Sequence, residues 1–135
     1  MAEAQKQDSG KLSFSAIPQL ALRNVARSFT YGAKKYGLYN YSNGLTTTRL
    51  MDAAQRHINA FMTGEDIDPE SGNTHLSHAI ASLMMLEDAM LTGQNKDDRN
   101  KFYLHLNNFS GNYITNEKVT CRETEPTITD PVRTA

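Results

Sequence analysis

"TTTRLMDAAQRHINAFMTGEDIDPESGNTHLSHAIASLMMLEDAMLTG", residues 46–93, contains two amphipathic helical patterns joined by an acidic turn. The first pattern begins in the threonine run, whose hydroxyls can cap free backbone N–H groups, and it ends near Gly64. Its apolar side chains recur three and four residues apart, at Leu50, Ala54, Ile58 and Phe61. The second pattern begins after Asn73 or Thr74 as cap and ends at Thr92–Gly93. Its apolar belt consists of Leu76, Ile80, Leu83, Met84 and Met90.

A third helical pattern precedes this pair and runs from about Ile17 to Lys35. Pro18 suits a first helical turn, and Gly37 marks the end. Its basic residues share one face, because intervals of four and seven residues are close to one and two turns. These residues are Arg23, Arg27 and Lys34.

The chain therefore divides into three parts. We predict a disordered tail over residues 1–11, a helical domain over 12–93, and a different C-terminal segment over 94–135. In that segment the alternation of Phe102, Leu104 and Leu106, with Tyr113 beyond a polar turn, predicts a β-hairpin followed by a flexible arm.

Three short helices over about 80 residues leave a thin hydrophobic core. Burial of ten to fifteen apolar side chains is offset by the conformational entropy of ordering the chain. We expect a mainly α fold, a small helical bundle completed by homo-oligomerisation.

Composition excludes several classes of protein. No apolar run reaches the roughly 18 to 20 residues that a membrane span needs, and the start lacks the order of a secretory signal, so we expect a cytoplasmic protein with no membrane partner. A net charge of −1 argues against binding a nucleic acid polymer. The charge is uneven, however, because residues 11–63 hold seven basic residues and one acid. This split suits either solvated faces or a phosphate chain neutralised by protein cations and a carboxylate-held metal.

The acidic turn has two interpretations. It places Glu65, Asp66, Asp68 and Glu70 within six positions. The D-x-D-x-E spacing superficially suggests a calcium loop, but Pro69 and Gly72 are misplaced for an EF-hand. Acids before a helix N-terminus are stabilised by its partial positive charge, which is the plainer interpretation. The other interpretation is that these carboxylates form one side of a metal-binding site.

Two pairs of side chains on the predicted helices can also be interpreted either as structural contacts or as parts of a site. Asp52 and Arg56 lie four residues apart and can form a surface ion pair. His75 and His78 share a face and can contact one ligand, or can serve as capping or core-edge histidines.

Several motifs in a fixed order carry a resemblance to a known family. They are "YGAKKYG" (31–37), Asn40 and Tyr41 followed by Gly44, "RLMDAAQRH" (49–57), "GEDIDPESG" (64–72) and "HLSHA" (75–79). Together, over about residues 11–92, they resemble the phage-encoded dATP/dGTP diphosphohydrolases, the MazZ-type relatives of the MazG and HisE all-α nucleoside triphosphate pyrophosphohydrolases.

The resemblance implies a helical, oligomeric enzyme that cleaves a deoxynucleoside triphosphate to a monophosphate and pyrophosphate with Mg²⁺ or Mn²⁺. It implies metal ligands and catalytic groups among the acids Asp52, Glu65 and Asp66, with Asp68 and Glu70 in reserve. His75 and His78 are expected to contact phosphate, orient a carboxylate or transfer a proton. Substrate-binding groups are expected at Lys34, Lys35, Tyr36, Tyr41, Arg49, Arg56 and His57.

One departure keeps a second function open. The broader superfamily usually places E-x-x-E on one helix and E-x-x-D on the next, whereas the first predicted helix here has no acid. The metal set would then come from the second helix and the acidic turn, or from a neighbouring subunit. The alternative to an enzyme is a nucleotide-sequestering protein that counters a host defence signal, and the plainest alternative is a structural module with solvated polar faces.

Overall fold

The chain is mainly α-helical, as the periodicity predicts. A computed structural model describes residues 2–107. Its helices are α1 (Gln19–Tyr36), α2 (Thr47–Met62), α3 (His75–Leu91) and α4 (Lys101–Asn107), with short 3₁₀ turns at Phe14–Ala16 and Asn40–Asn43. Residues 2–13 are exposed and carry no helix or strand. Within residues 2–107, every helix is too short or too polar to cross a bilayer.

The helix boundaries follow from local chemistry. Pro18 is the N-cap of α1, and Gly37 ends the helix with a φ of 96°, which a residue with a Cβ rarely adopts. At α3 the predicted cap is confirmed, because Thr74 Oγ1 accepts a hydrogen bond from the backbone N–H of Ser77 at 3.1 Å. The acidic turn brings α3 back beside α2, and α3 packs against both α2 and α1.

The start of α2 is held by a segment that follows α3. The backbone of Lys96 pairs with Thr46, and its carbonyl accepts from the Thr47 N–H at 2.9 Å. Asp98 accepts from the Thr48 N–H at 2.8 Å and also from the Thr48 hydroxyl. These contacts satisfy N–H groups that a helix N-terminus leaves without intrahelical partners. They fix the first turn of α2, where Arg49 lies.

The predicted hairpin is wrong in its first strand. Residues Lys101–Asn107 form α4 instead. Asn100 begins it, because its side-chain oxygen accepts from the Phe102 N–H at 3.0 Å and its carbonyl accepts from the Tyr103 N–H at 3.1 Å. A short alternating run fits a helix as well as a strand, so a polar cap decides between them. Tyr113 and the predicted arm lie outside the described residues.

The interior of the bundle is small and partly polar. The buried hydrophobic residues of the described chain are Val25, Leu50, Ala54, Ala79 and Ala81, and buried serines and a histidine lie among them. Most members of the predicted apolar stripes remain substantially exposed instead, including Ile58, Phe61, Leu76, Ile80, Leu83 and Met84. The single chain therefore buries far fewer large side chains than the sequence predicts.

Candidate functional site

A large cavity opens between the three main helices. It is bounded by α1, the loop that follows α1, the inner faces of α2 and α3, and the acidic turn. Its volume is about 790 Å³, which lies within the usual range of roughly 300–1,000 Å³ for small-molecule sites. Most predicted substrate-binding residues line it, and the lining brings together side chains as far apart in the sequence as Ser28 and Met85, which are separated by 57 positions.

Cations and aromatic rings from three elements face this cavity. Lys35 comes from the last turn of α1, and Arg49 and Arg56 come from α2. Neither arginine forms a salt bridge with any side chain of residues 2–104, so the possible Asp52–Arg56 ion pair is not formed. Free guanidinium groups recognise phosphate oxygens in a bidentate manner.

Tyrosines at the end of α1 and in the loop that follows it supply the aromatic surface. Tyr36, Tyr39 and Tyr41 all line the cavity, and Tyr41 packs edge-on against Phe29 with ring centroids 6.0 Å apart. Tyr39 has a φ of 63°, in the left-handed region that bulky residues rarely adopt. A strained backbone at a tyrosine beside a cavity indicates that the loop holds this ring for a purpose other than stability.

Three histidines cluster where α2 and α3 meet the cavity. His57 stacks on His78, with ring centroids 4.8 Å apart and planes at 16°. On its other side, His57 Nδ1 lies 2.8 Å from His75 Nδ1, within hydrogen-bond distance. Burial lowers the pKa of His57, and positive charge on His78 or His75 would lower it further. The cluster therefore favours a neutral His57 at neutral pH.

The acidic turn contacts two of these histidines. Glu65 Oε1 lies 2.7 Å from His75 Nε2, and the backbone carbonyl of Asp66 accepts from the His75 N–H at 2.9 Å. His75 itself is buried, with only 4% of its surface exposed. A carboxylate, a buried imidazole and a second imidazole thus form a continuous chain from Glu65 to His57.

Asp68 and Ser71 hold His78 from the other side of the turn. His78 Nε2 lies 2.6 Å from Ser71 Oγ and 3.4 Å from Asp68 Oδ2. Burial raises the pKa of Asp68, but hydrogen bonds from Ser71 and from the Glu70 backbone N–H outweigh it and leave the pKa below its ordinary value. Burial lowers the pKa of His78, against the opposing effect of Asp68.

Glu70 joins the turn to α1. It accepts a hydrogen bond from the Tyr31 hydroxyl at 2.9 Å and forms an ion pair with Lys35. Lys35, and then Tyr31, lower the pKa of Glu70, while Glu70 raises the pKa of Lys35 and of Tyr31. An incoming anion would compete with Glu70 for the ammonium group of Lys35.

The predicted site residues divide into two groups. Those that line the cavity are Lys35, Tyr36, Tyr41, Arg49, Arg56, His57, His75 and His78, with the reserve acids Asp68 and Glu70. Those that do not line it are Lys34, Asp52, Glu65 and Asp66. Glu65 still reaches the site through His75.

The metal assignment stays a prediction. Among the side chains that the structure describes, those of residues 2–104, no three His, Cys, Asp or Glu are arranged to hold a metal ion. Asp52 is exposed on α2 outside the cavity lining, and Glu65 is engaged with His75. The three carboxylates of one chain, as placed here, do not by themselves form the site that the prediction requires.

Some contributors were missed by sequence reasoning. Tyr31 and Tyr39 face the cavity, and Ser71 holds His78. Tyr31 lies four residues before Lys35 and both meet Glu70, so the one-turn spacing within "YGAKKYG" was a usable signal. The contact of Ser71 with His78 depends on how the acidic turn folds, which no local pattern reveals.

Comparison with known proteins identifies the family. The family model described as dATP/dGTP diphosphohydrolase, N-terminal, matches residues 1–99. The chain belongs to this family. The resemblance seen in the ordered motifs is thereby confirmed at the level of the dATP/dGTP diphosphohydrolase family.

A member of known name is also similar. The chain is 36% identical over 94 residues to a protein of Salmonella phage PMBT28 named dATP/dGTP diphosphohydrolase. The match covers 70% of this chain and 32% of the phage protein, so the chain spans about a third of the length of its curated relative. No solved structure matches the chain.

Proposed function

We propose that the cavity binds a deoxypurine nucleoside triphosphate and that the chain acts as a dATP/dGTP diphosphohydrolase. In this reaction water attacks the α-phosphorus, and the products are the monophosphate and pyrophosphate. The observation that carries the proposal is the convergence of Lys35, Arg49 and Arg56 with a set of tyrosines around a cavity of about 790 Å³. Membership of the diphosphohydrolase family supports the choice of nucleotide.

The two kinds of lining group have separate roles in this proposal. The guanidinium groups of Arg49 and Arg56 bind phosphate oxygens and meet the negative charge that builds during displacement at phosphorus. When the nucleotide binds, the ammonium group of Lys35 leaves its ion pair with Glu70 and binds a phosphate oxygen instead. Tyr36, Tyr39 or Tyr41 stacks on the base, since tyrosine rings provide apolar faces of the right size.

Mg²⁺ or Mn²⁺ belongs to the proposal as a companion of the nucleotide. Mg²⁺ in nucleotide sites is usually held by one or two carboxylates together with the substrate phosphates, rather than by an all-protein cage. Asp68 and Glu70 are the carboxylates that face the cavity. This arrangement is compatible with the lack of a three-ligand cluster in the described residues.

A second function is nucleotide binding without turnover. One observation favours it: the predicted metal ligands Asp52, Glu65 and Asp66 are not gathered into one site in the part of the chain that the structure describes. Such a protein would sequester a nucleotide or a nucleotide-derived signal in the same cavity. Both functions require the cavity, and they differ only in whether product forms.

Equilibrium binding tests the part that both functions share. Each of the four dNTPs is titrated into the full chain by calorimetry, with and without Mg²⁺. Lys35→Ala and Arg56→Ala should weaken purine dNTP binding roughly tenfold each, since each loses a charge-assisted phosphate contact. Lys34→Ala is the matched control, because its neighbour Lys35 lines the cavity and Lys34 does not. An equal loss in all three variants would place the nucleotide elsewhere.

Product analysis separates the two functions. Purified chain is incubated with dATP or dGTP and Mg²⁺ or Mn²⁺, and pyrophosphate and orthophosphate are measured separately. Release of pyrophosphate, abolished by Arg56→Ala, supports the diphosphohydrolase. Tight binding followed by quantitative recovery of the intact triphosphate supports sequestration. Release of orthophosphate would refute the proposed bond cleavage.

A further inference from the structure

A hydrogen-bonded chain leads from the acidic turn to the cavity. We propose that Glu65, His75 and His57 form a proton relay that makes His57 Nε2 the base for the attacking water. This inference rests on the proposed function. His57 is the catalytic residue, and Glu65 and His75 are positioning residues that act through it.

The proposal assigns a direction to the two histidine contacts, in which each ring nitrogen can donate or accept according to the tautomer. An ionised carboxylate only accepts, so the contact of 2.7 Å between Glu65 Oε1 and His75 Nε2 requires a proton on His75 Nε2. In the proposed relay His75 is the neutral tautomer, with its lone pair on Nδ1. His57 Nδ1–H is then the donor in the contact of 2.8 Å between the two Nδ1 atoms. Neutral His57 is left with its lone pair on Nε2.

The relay ends at His57, a residue in the lining of the cavity. Its Nε2 has no hydrogen-bond partner among the described side chains of residues 2–104. Other charged or titratable groups around it are His78, stacked on its ring, and Asp68 and Arg56 on the turn and on α2. Burial lowers the pKa of His57, which keeps this lone pair available near neutral pH.

The proposed step balances as a simple displacement. A water O–H proton moves to His57 Nε2 as the water oxygen forms a bond to the α-phosphorus. The bond from the α-phosphorus to the bridging oxygen breaks, and its electron pair leaves with pyrophosphate. The imidazolium formed at His57 is stabilised by the negative charge of Glu65 through His75, and the proton later passes to solvent.

Nitrogen-15 NMR on histidine-labelled full chain tests the relay without requiring turnover. The expected result is the Nδ1–H tautomer at His57 and the Nε2–H tautomer at His75. In Glu65→Ala, His75 should lose its fixed tautomer. Asp88→Asn, an exposed acid of α3 outside the cavity lining, is the control and should leave both tautomers unchanged. The opposite tautomer at either histidine in the wild-type chain overturns the relay.

Kinetics provide the second readout. His57→Gln should lower kcat about 100-fold or more with little change in KM, the size expected for loss of a general base. Glu65→Gln should lower kcat less and change its pH profile, which a merely structural role would not do. Wild-type turnover retained by His57→Gln, or fixed tautomers in a chain that binds dNTP without turnover, overturns the base role. Failure of dNTP to bind refutes the proposed function instead.

Discussion

One buried hydrogen bond joins α1 to α3 and has a defined direction. Ser28 Oγ lies 2.8 Å from Ser77 Oγ, and both residues are buried. Ser77 Oγ also donates to the carbonyl of Thr74 at 2.8 Å. A hydroxyl has only one proton, so the Ser28 hydroxyl must donate to Ser77. The two serines are therefore not equivalent, although their side chains are identical.

This asymmetry predicts unequal costs of substitution. Ser28→Ala removes one hydrogen bond and leaves a lone pair of Ser77 without a donor, so it should cost about 1 kcal/mol. Ser77→Ala leaves the buried O–H of Ser28 without an acceptor and also removes the bond to Thr74, so about 2 to 3 kcal/mol is expected. The double variant leaves no buried hydroxyl without a partner. Its loss of unfolding free energy should therefore be no larger than that of Ser77→Ala alone, which gives a coupling energy between the two serines of about 1 kcal/mol.

Urea denaturation at one fixed protein concentration measures these differences, because any self-association makes stability concentration-dependent. Circular dichroism at 222 nm follows the loss of helix for the wild-type chain, both single variants and the double variant. A larger cost for Ser28→Ala than for Ser77→Ala would refute the assigned direction. Strictly additive costs would show that the two hydroxyls do not interact.

Three further outcomes are expected. Thr74→Ala should lower the free energy of unfolding by about 1 kcal/mol through loss of the cap on the Ser77 N–H, while Thr74→Ser should retain most of it; urea denaturation decides. Lys35 lowers the pKa of Glu70, so the stability that ionised Glu70 contributes is present above its ordinary pKa of 4.5 and is lost as pH falls through the lower pKa of the folded state. The Tm difference between wild type and Glu70→Gln should therefore vanish in acid. Burial lowers the pKa of His57 below its ordinary 6.5, so stability should decrease as pH falls below that value, with a smaller slope in His57→Gln.

Helix content was predictable because it depends on local chemistry. Period, capping residues and turn glycines place α1, α2 and α3 to within a few residues, and Thr74 caps α3 as predicted. The same local rules failed at Lys101–Asn107. There the apolar alternation is short, and the capping side chain of Asn100 favours a helix.

The lining of the cavity was predictable in part, but the arrangement of its side chains was not. The motifs that carry the family resemblance selected Lys35, Arg56, His57 and His78, all of which line the cavity. The chain of contacts through Glu65 joins groups from α2, α3 and the acidic turn. Its formation depends on how the helices pack, and side-chain spacing within one helix does not encode that.

The distribution of residues around α3 is the reverse of the usual one, with small and polar side chains facing inwards and large apolar side chains facing outwards. A helix that presents small and polar residues inwards leaves room for a polar ligand, and its serines and His75 bind neighbouring groups rather than filling space. The same choice removes from the interior the large side chains that would stabilise a single chain. Those side chains lie on the opposite face, where only another surface can bury them. A polar site on one side of α3 and an exposed apolar surface on the other are thus two consequences of one sequence pattern. If the expected homo-oligomer forms through that surface, a change there that separates the copies should also weaken ligand binding at the cavity.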